Sequence, residues 1–130
     1  MNLQNRIGKT YWFDLPVTDV VNARSFYEGL FHWQFLLMSE SPIPDYWVIQ
    51  AGDELIGGIR QTTRERGEMH IPVLYFTVDD LDVYSYRVKE LGGKLVGERV
   101  DLEKGRGSYQ WFFDREKNLV ALWAPSKETA

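Results

Sequence analysis

The stretch Tyr11–Asp19, which reads YWFDLPVTD, decides the fold of this chain. Its alternating apolar side chains predict a β-strand that ends near Val17, and Thr18 or Asp19 is suited to cap a following helix. The apolar side chains after the cap recur at helical spacing, at Val20, Ala23, Phe26, Tyr27 and Leu30. One strand therefore leads directly into one amphipathic helix.

The same order of elements occurs twice along the chain. After the first helix, alternating segments predict strands over residues 33–38, 46–51 and 55–61, so the first half reads βαβββ. A strand over residues 72–78, a helix capped by Asp79 or Asp80 and strands over residues 94–98, 108–113 and 119–124 repeat that order. A shift of 61 residues aligns Val17 with Val78, Asp19 with Asp80 and Leu30 with Leu91, which indicates an internal duplication.

The expected domain organisation follows from this duplication. We expect a single domain over residues 1–130, with module one at about residues 8–61 and module two at about residues 72–125. The polar segment between them, about residues 62–71, carries no apolar period and is predicted to be a linker.

The composition excludes several classes of function. The 130 residues include no cysteine, so disulfide frameworks, thiolate nucleophiles and cysteine metal sites have no residues to form them. A net charge of −4 does not favour a nucleic-acid partner, which would require a basic face. The N-terminal segment lacks the apolar core of a signal peptide, and no apolar run has the length of a membrane span. We therefore expect a cytoplasmic protein with no membrane partner.

Aromatic residues are the unusual part of the composition. The chain contains seven Phe, seven Tyr and five Trp, but only two histidines, His32 and His70, whose separation fits no metal-binding motif. No glycine-rich nucleotide motif and no nucleophile elbow occurs. The aromatic side chains are therefore the main candidates for a binding role.

Four motifs occur in order along the two halves. They are YWFDLPVTD at residues 11–19, FYEGLF at residues 26–31, VDDL at residues 78–81 with LGG at residues 91–93, and FFDREKN at residues 112–118 before Leu122 and Trp123. Together they resemble the vicinal oxygen chelate superfamily, which includes glyoxalase I, the extradiol dioxygenases and the bleomycin-resistance proteins. The resemblance implies an α+β fold in which two tandem βαβββ modules form a curved mixed sheet around a cup.

Two positions depart from the family pattern. His32 stands where a glycine usually ends the helix, and the family turn Asp-Pro-Glu-Gly-Asn appears here as Asp114–Asn118, with the sequence DREKN. Histidine is among the residues that tolerate positive φ, and we expect neither change to alter the fold.

The resemblance also identifies the positions where metalloenzymes of the family bind a divalent ion. Those enzymes use His, Gln or Glu from the first and last strands of each module. The corresponding positions here are Trp12, Val73, Ala121 and the segment 55–60, which reads LIGGIR. None of them offers the side-chain ligands that a divalent ion requires. We therefore expect no metal site and no cofactor.

Strand alternation, combined with the concave face that the family geometry implies, indicates a candidate ligand site. Counting by twos from the metal-ligand positions assigns Leu119 to that face, together with five aromatic or polar residues that are the candidate site: Trp12, Asp14, Tyr75, Thr77 and Trp123. Trp47 and Trp111 are further candidates, from strands whose register the sequence leaves open. The rings suit a flat ligand, and Asp14 suits a cationic group or a hydrogen-bond donor. Because an unpaired buried carboxylate is costly, we expect Asp14 to meet solvent, a partner such as Arg60, or the ligand.

Several functions remain open at this point. We interpret the chain as a metal-free protein, rather than an enzyme, that binds a small, partly aromatic ligand which could be cationic, for sequestration or resistance. A glyoxalase-like or dioxygenase-like metalloenzyme is the first alternative and is disfavoured by the missing ligands. The second is a metal-independent enzyme that uses Asp14 as a general base. The same rings could instead fill a closed cup or a dimer seam. The resemblance also implies a homodimer.

Overall fold

The computed structural model describes residues 3–39, 41, 43, 45–62 and 71–126. Most of the expected linker, residues 63–70, lies outside the described residues. The chain divides into two compact units: Trp12–Pro72, called here the first unit, and Met1–Tyr11 with Val73–Ala130, called the second unit. The N-terminal segment is bonded within the second unit, because the Gly8 amide donates to the Thr77 carbonyl at 2.8 Å and the Thr77 amide donates to the Lys9 carbonyl at 3.0 Å.

The first unit contains one helix and four strands. They are β1 (Thr10–Val17, whose first two residues belong to the second unit), α1 (Val20–Phe31), β2 (Gln34–Leu37), β3 (Trp47–Ala51) and β4 (Glu54–Gln61). The strand order is β2-β3-β4-β1, with β1 parallel to β4 and the other pairs antiparallel. The side chain of Asp19 caps α1 by accepting the Asn22 amide at 2.9 Å, as the sequence predicts.

The second unit repeats this order. A short 3-10 turn at Leu3–Arg6 precedes β1, and the later elements are β5 (Val73–Thr77), α2 (Leu81–Glu90), β6 (Lys94–Asp101), β7 (Ser108–Phe113) and β8 (Leu119–Ala124). The strand order is β5-β8-β7-β6, with β5 parallel to β8. Of the two candidate caps, Asp80 caps α2, accepting the Val83 amide at 3.1 Å. The predicted α+β fold with two βαβββ modules is thereby confirmed. Within the described residues, no helix has the length and apolar character needed to cross a bilayer.

Each unit packs its helix against one face of its strands. The core of the first unit consists of Val20, Ile49 and Ile59, with Phe13, Leu15 and Val17 of β1 packed against them. The core of the second unit consists of Val78, Leu81, Leu122 and Ala124, with Tyr84 and Val88 of α2 packed against them. Because successive side chains of a strand alternate between faces, Trp12 and Asp14 point away from α1, and Tyr75 and Thr77 point away from α2.

At both departures from the family pattern, one residue adopts the left-handed backbone conformation, with a positive φ. His32 has a φ of 61° and ends α1 with its amide donating to the Glu28 carbonyl at 2.9 Å. Lys117 has a φ of 66° in the turn between β7 and β8. In that turn the Asp114 carboxylate accepts the Asn118 side chain and the amides of Asn118 and Glu116, and these bonds hold the pKa of Asp114 below its ordinary value. The fold thus retains both turns at a cost in backbone strain.

Candidate functional site

In the first unit, a line of hydrogen bonds joins the two residues that were predicted to share the face away from α1. The Trp12 indole Nε1–H donates to the Tyr46 hydroxyl oxygen at 2.8 Å, and the Tyr46 hydroxyl donates to Asp14 Oδ1 at 2.5 Å. Asp14 is only 1% exposed and Tyr46 is 8% exposed. The second distance is typical of a charge-assisted O–H···O⁻ bond. Asp14 therefore meets a hydrogen-bonding partner, one of the outcomes that we expected, and this partner is Tyr46.

A glycine makes room for the Tyr46 ring. Asp14 lies beside Gly58 across β1 and β4, and Gly58 lies beside Val48 across β4 and β3. A Cβ atom at Gly58 would overlap the hydroxyl and the ring of Tyr46. Glycine inside a strand often marks such a close approach, so the pair Gly57-Gly58 was the sequence signal that could have indicated Tyr46.

Trp47 lies on the other face of the first unit and is not brought together with Trp12 and Asp14. It is paired with Ile59 in the register of β3 and β4, and it packs against the core beneath α1. The Arg24 guanidinium of α1 lies 3.9 Å from its ring centroid, and its indole Nε1–H donates to Asp45 Oδ1 at 3.0 Å. Pairing with a core residue fixes the face that the sequence left open, so we remove Trp47 from the candidate site.

In the second unit, Tyr75 and Trp111 lie together on the face away from α2. The register places Tyr75 beside Ala121, and Ala121 beside Trp111. The Trp111 indole Nε1–H donates to the Tyr75 hydroxyl oxygen at 2.9 Å, and the Tyr109 ring meets the Tyr75 ring edge to face at a centroid distance of 5.5 Å. Trp111, whose register was open in the sequence, therefore joins the candidate residues.

Thr77 occupies the next row of the same face, beside Trp123 of β8, which is paired in turn with Tyr109 of β7. The Thr77 side chain is 1% exposed, and its Oγ1 atom finds no hydrogen-bond partner among the described residues. A buried polar group left without a partner costs about 1–3 kcal/mol. This hydroxyl is therefore a candidate position for a water or a ligand oxygen.

Trp123 forms a stack with Tyr11 that the sequence did not indicate. The two ring centroids are 3.7 Å apart with an interplanar angle of 3°. The Trp123 indole Nε1–H donates to the Arg106 carbonyl at 3.0 Å, which fixes the plane of the indole. Tyr11 thus covers one face of the Trp123 ring. Tyr11 is itself 38% exposed.

The charges of two arginine side chains act on the phenol of Tyr11. Burial raises the pKa of the Tyr11 phenol, and the positive charges of Arg106 and Arg6 oppose that rise. The net effect is a raised pKa, so the phenol is neutral at physiological pH. The uncharged phenol of Tyr11 therefore lies in the electrostatic field of two cationic side chains, Arg6 and Arg106.

The positions where family metalloenzymes hold an ion do not fit a divalent metal here. The indole nitrogen of Trp12 is a donor only and is bonded to Tyr46. Val73 and Ala121 are fully buried hydrocarbon side chains. No cluster of three or more His, Asp or Glu residues suited to a metal occurs within the part of the chain that the structure describes. His70 lies outside that part.

Comparison with known proteins covers almost the whole chain. The family model described as Glyoxalase/Bleomycin resistance protein/Dioxygenase superfamily matches residues 9–122. The anthracycline biosynthesis protein DnrV of Streptomyces peucetius is 26% identical over 129 residues, which cover 89% of this chain and 46% of that protein. A glyoxylase-like domain-containing protein of Didymella fabae is 24% identical over 123 residues, which cover 88% of this chain and 92% of that protein. The chain therefore spans about half the length of DnrV.

Solved structures share the fold. A hypothetical protein from Bacillus halodurans C-125 superposes with a TM-score of 0.68 at 18% sequence identity, covering 95% of this chain and 97% of that chain. At this level of identity, the similarity concerns the fold.

Proposed function

Because the chain belongs to the glyoxalase/bleomycin resistance protein/dioxygenase superfamily, we propose that it is a metal-free protein that binds a small, partly aromatic ligand. Its role is sequestration of such a compound or resistance to it. The observation that carries this proposal is the hydrogen bond from the Trp12 indole to Tyr46. At a position where family metalloenzymes place a metal ligand, this chain has an aromatic ring held by a phenol.

Aromatic side chains in both units are held in place before a ligand binds. Trp12 donates to Tyr46 at 2.8 Å in the first unit, and Trp111 donates to Tyr75 at 2.9 Å in the second unit. Immobilising a flexible side chain on binding costs roughly 0.5–1.5 kcal/mol. Rings that are already held by hydrogen bonds avoid part of this cost, which supports a binding role for Trp12, Tyr75 and Trp111.

The charge of the ligand is less constrained than the sequence suggests. Asp14 Oδ1 already accepts the Tyr46 hydroxyl at 2.5 Å, and the side chain is 1% exposed. A carboxylate used in this way offers little to a cationic group. We therefore propose a flat aromatic ligand without requiring a positive charge, with Thr77 as a hydrogen-bonding residue and Trp123 as an aromatic one.

The names of two relatives agree with an aromatic ligand. DnrV and DauV are both described as anthracycline biosynthesis proteins, and anthracyclines are compounds built on fused aromatic rings. The chain covers 46% of each of these proteins. The class of compound in the names of these two proteins is flat and aromatic, and this supports the proposal.

We also propose that the protein acts in the cytoplasm as a homodimer. Large apolar side chains of α1 and β2 are 49–69% exposed: Val21, Phe26, Leu30, Phe31, Leu36 and Leu37. Association of two copies would cover such side chains, and the absence of cysteine suits a reducing compartment. Light scattering after size-exclusion chromatography should give twice the chain mass of 15.2 kDa. A mass of one chain at every concentration would contradict the dimer.

The enzyme alternatives have less support. A general base must reach a substrate proton directly or through one water, and the Asp14 carboxylate already accepts the Tyr46 hydroxyl. A metalloenzyme of this family would need ligands at positions that carry Trp12, Val73 and Ala121. We therefore favour binding over catalysis.

Equilibrium dialysis against a panel of water-soluble polycyclic aromatic compounds tests the proposal, because it measures binding without relying on the fluorescence of five tryptophans. We expect at least one compound to bind. Trp12→Leu should weaken its binding about tenfold, the equivalent of one aromatic contact of about 1.4 kcal/mol.

The matched control is Trp47→Leu, which removes a tryptophan from the helix-facing side of the same unit. This variant should lose stability and keep its affinity for the aromatic compound. No binding across the panel, or an equal loss of affinity in both variants, would contradict the proposal. Stoichiometric binding of Mn²⁺, Ni²⁺ or Zn²⁺ in calorimetric titration would contradict its metal-free part.

A further inference from the structure

The stack of Tyr11 on Trp123 is built from three segments of the second unit. Tyr11 belongs to β1, Trp123 to β8, and the loop over residues 102–107 connects β6 and β7. The Arg106 carbonyl accepts the Trp123 indole N–H at 3.0 Å. Gly107 has a φ of 90°, and a Cβ atom there would overlap the Ala124 carbonyl and touch the Trp123 indole. The loop is therefore packed closely against the stack.

The segments around the stack are basic in a chain that is acidic as a whole. Residues 3–11 and 102–107 together contain four basic residues, Arg6, Lys9, Lys104 and Arg106, and one acidic residue, Glu103. The whole chain has a net charge of −4. Arg106 is exposed and lies in the loop that holds Trp123. The charges of Arg106 and Arg6 both act on the Tyr11 phenol and oppose the rise in its pKa that burial causes.

We propose that the ring of Tyr11, with the guanidinium groups of Arg6 and Arg106, binds a flat aromatic anion such as an aryl carboxylate. The ligand ring stacks on Tyr11, which is 38% exposed and supported from behind by Trp123. The negative group lies toward the two guanidinium groups, which form strong hydrogen bonds with carboxylates. This inference rests on the proposed function, because it assigns a charge to the aromatic ligand proposed there.

The surroundings favour an anion over a cation. A cationic aromatic compound stacked on Tyr11 would approach the positive side chains of Arg6 and Arg106, whose charges both act on the Tyr11 phenol. Asp14, the residue from which the sequence suggested a cationic ligand, belongs to the first unit and accepts the Tyr46 hydroxyl.

Equilibrium dialysis of the full chain with 2-naphthoate and with neutral 2-naphthamide tests this inference. We expect naphthoate to bind about tenfold more tightly than naphthamide, because only naphthoate carries a negative charge and can form an ion pair with guanidinium. Raising NaCl to about 0.5 M should remove most of this difference, since salt screens exposed charges.

Four variants locate the site. Arg106→Gln should remove most of the preference for naphthoate and leave naphthamide binding unchanged, because the hydrogen bond to Trp123 uses the backbone carbonyl of Arg106. Arg115→Gln, an equal loss of charge in the turn between β7 and β8, should change neither affinity. Tyr11→Leu should weaken both ligands, whereas Tyr11→Phe keeps the ring and should retain both.

The outcomes separate this inference from the proposed function. If naphthoate and naphthamide bind equally and Arg106→Gln changes neither, the anion site is overturned while aromatic binding stands. If naphthoate binds with unchanged affinity to Tyr11→Leu, the location is overturned. If neither naphthalene compound nor any member of the wider aromatic panel binds, the inference and the proposed function both fail.

Discussion

The hydroxyl of Tyr46 connects two residues that the sequence placed on one face of β1. It accepts the Trp12 indole N–H and donates to Asp14, whose side chain is 1% exposed. Removing this hydroxyl leaves a buried carboxylate oxygen without that donor and an indole without that acceptor. The desolvation of the groups left behind, more than the strength of the lost bonds, sets the cost.

We expect Tyr46→Phe to lower the free energy of unfolding by about 2 kcal/mol, because hydrogen bonds to charged groups contribute roughly 1.5–3 kcal/mol. Urea denaturation measures this change. Tyr86→Phe is the control, since Tyr86 of α2 is 59% exposed and should stay within about 0.5 kcal/mol of the wild type. Equal stability of Tyr46→Phe and the wild type would show that the carboxylate does not depend on this hydroxyl.

The sequence predicts which face of a strand some residues occupy, but it does not predict their contacts with distant parts of the chain. Trp12 and Asp14 lie two apart in one strand, so alternation alone places them on the same face. Tyr46 begins the strand predicted over residues 46–51 and immediately precedes β3 in the structure, and its bonds to Trp12 and Asp14 depend on a contact with β1 that alternation along one strand does not report. Tyr11 meets Trp123 through a stack between residues 112 positions apart, and no local pattern reports such a contact.

At the scale of elements, the predictable features are those that depend on neighbours in the chain. The caps Asp19 and Asp80 each bond an amide three residues ahead, so the sequence contains the whole motif. The face of Trp47 depends on how β3 pairs with β4, and this pairing shifts register between Ile49 and Gln50. The pairing of two strands depends on residues that are distant in the sequence. The sequence alone therefore did not decide on which face of the sheet Trp47 and Trp111 lie.

His32 and Lys117, two of the four non-glycine residues with positive φ among the described residues, allow a test at the same scale. We expect His32→Gly and Lys117→Gly each to raise the free energy of unfolding by about 0.5–1 kcal/mol. Relief of the left-handed conformation is worth about 1–2 kcal/mol, and the added freedom of glycine in the unfolded chain offsets about 0.4–1 kcal/mol. Urea denaturation of each variant checks the sign.

The control for this pair is Glu116→Gly, one position before Lys117 and outside the set of residues with positive φ. It should lower stability, because glycine adds freedom to the unfolded chain and relieves no strain in the folded one. Stabilisation by Glu116→Gly equal to that of Lys117→Gly would mean that backbone strain at Lys117 is not the cause.

At the scale of the whole molecule, the order of residues in the chain differs from their grouping in space. Residues up to Tyr11 precede the first unit in sequence, yet they form contacts within the second unit. The backbone bonds of Gly8 and Lys9 with Thr77 account for this grouping. The duplication seen in the sequence predicts the repeated βαβββ order, but it places residues 8–11 in module one, whereas they group with the second unit.

We expect deletion of residues 1–9 to accelerate hydrogen exchange in the second unit. The Thr77 amide would lose the Lys9 carbonyl as its acceptor, and peptides containing β5 should exchange faster. Gln4→Ala, which leaves the backbone of the segment intact, is the control and should not change the exchange of Thr77. Faster exchange confined to peptides from residues 12–62 would contradict the grouping.

The line from Trp12 through Tyr46 to Asp14 has a consequence for how this chain can evolve. With Gly58, these positions are epistatic, because the effect of a substitution at one depends on the identity of the others. Histidine at position 12 would deprive the phenol of its indole donor, and a larger residue at position 58 would displace the ring. We therefore expect a single substitution of Trp12 by a metal-ligating residue to lower stability unless Tyr46 changes with it.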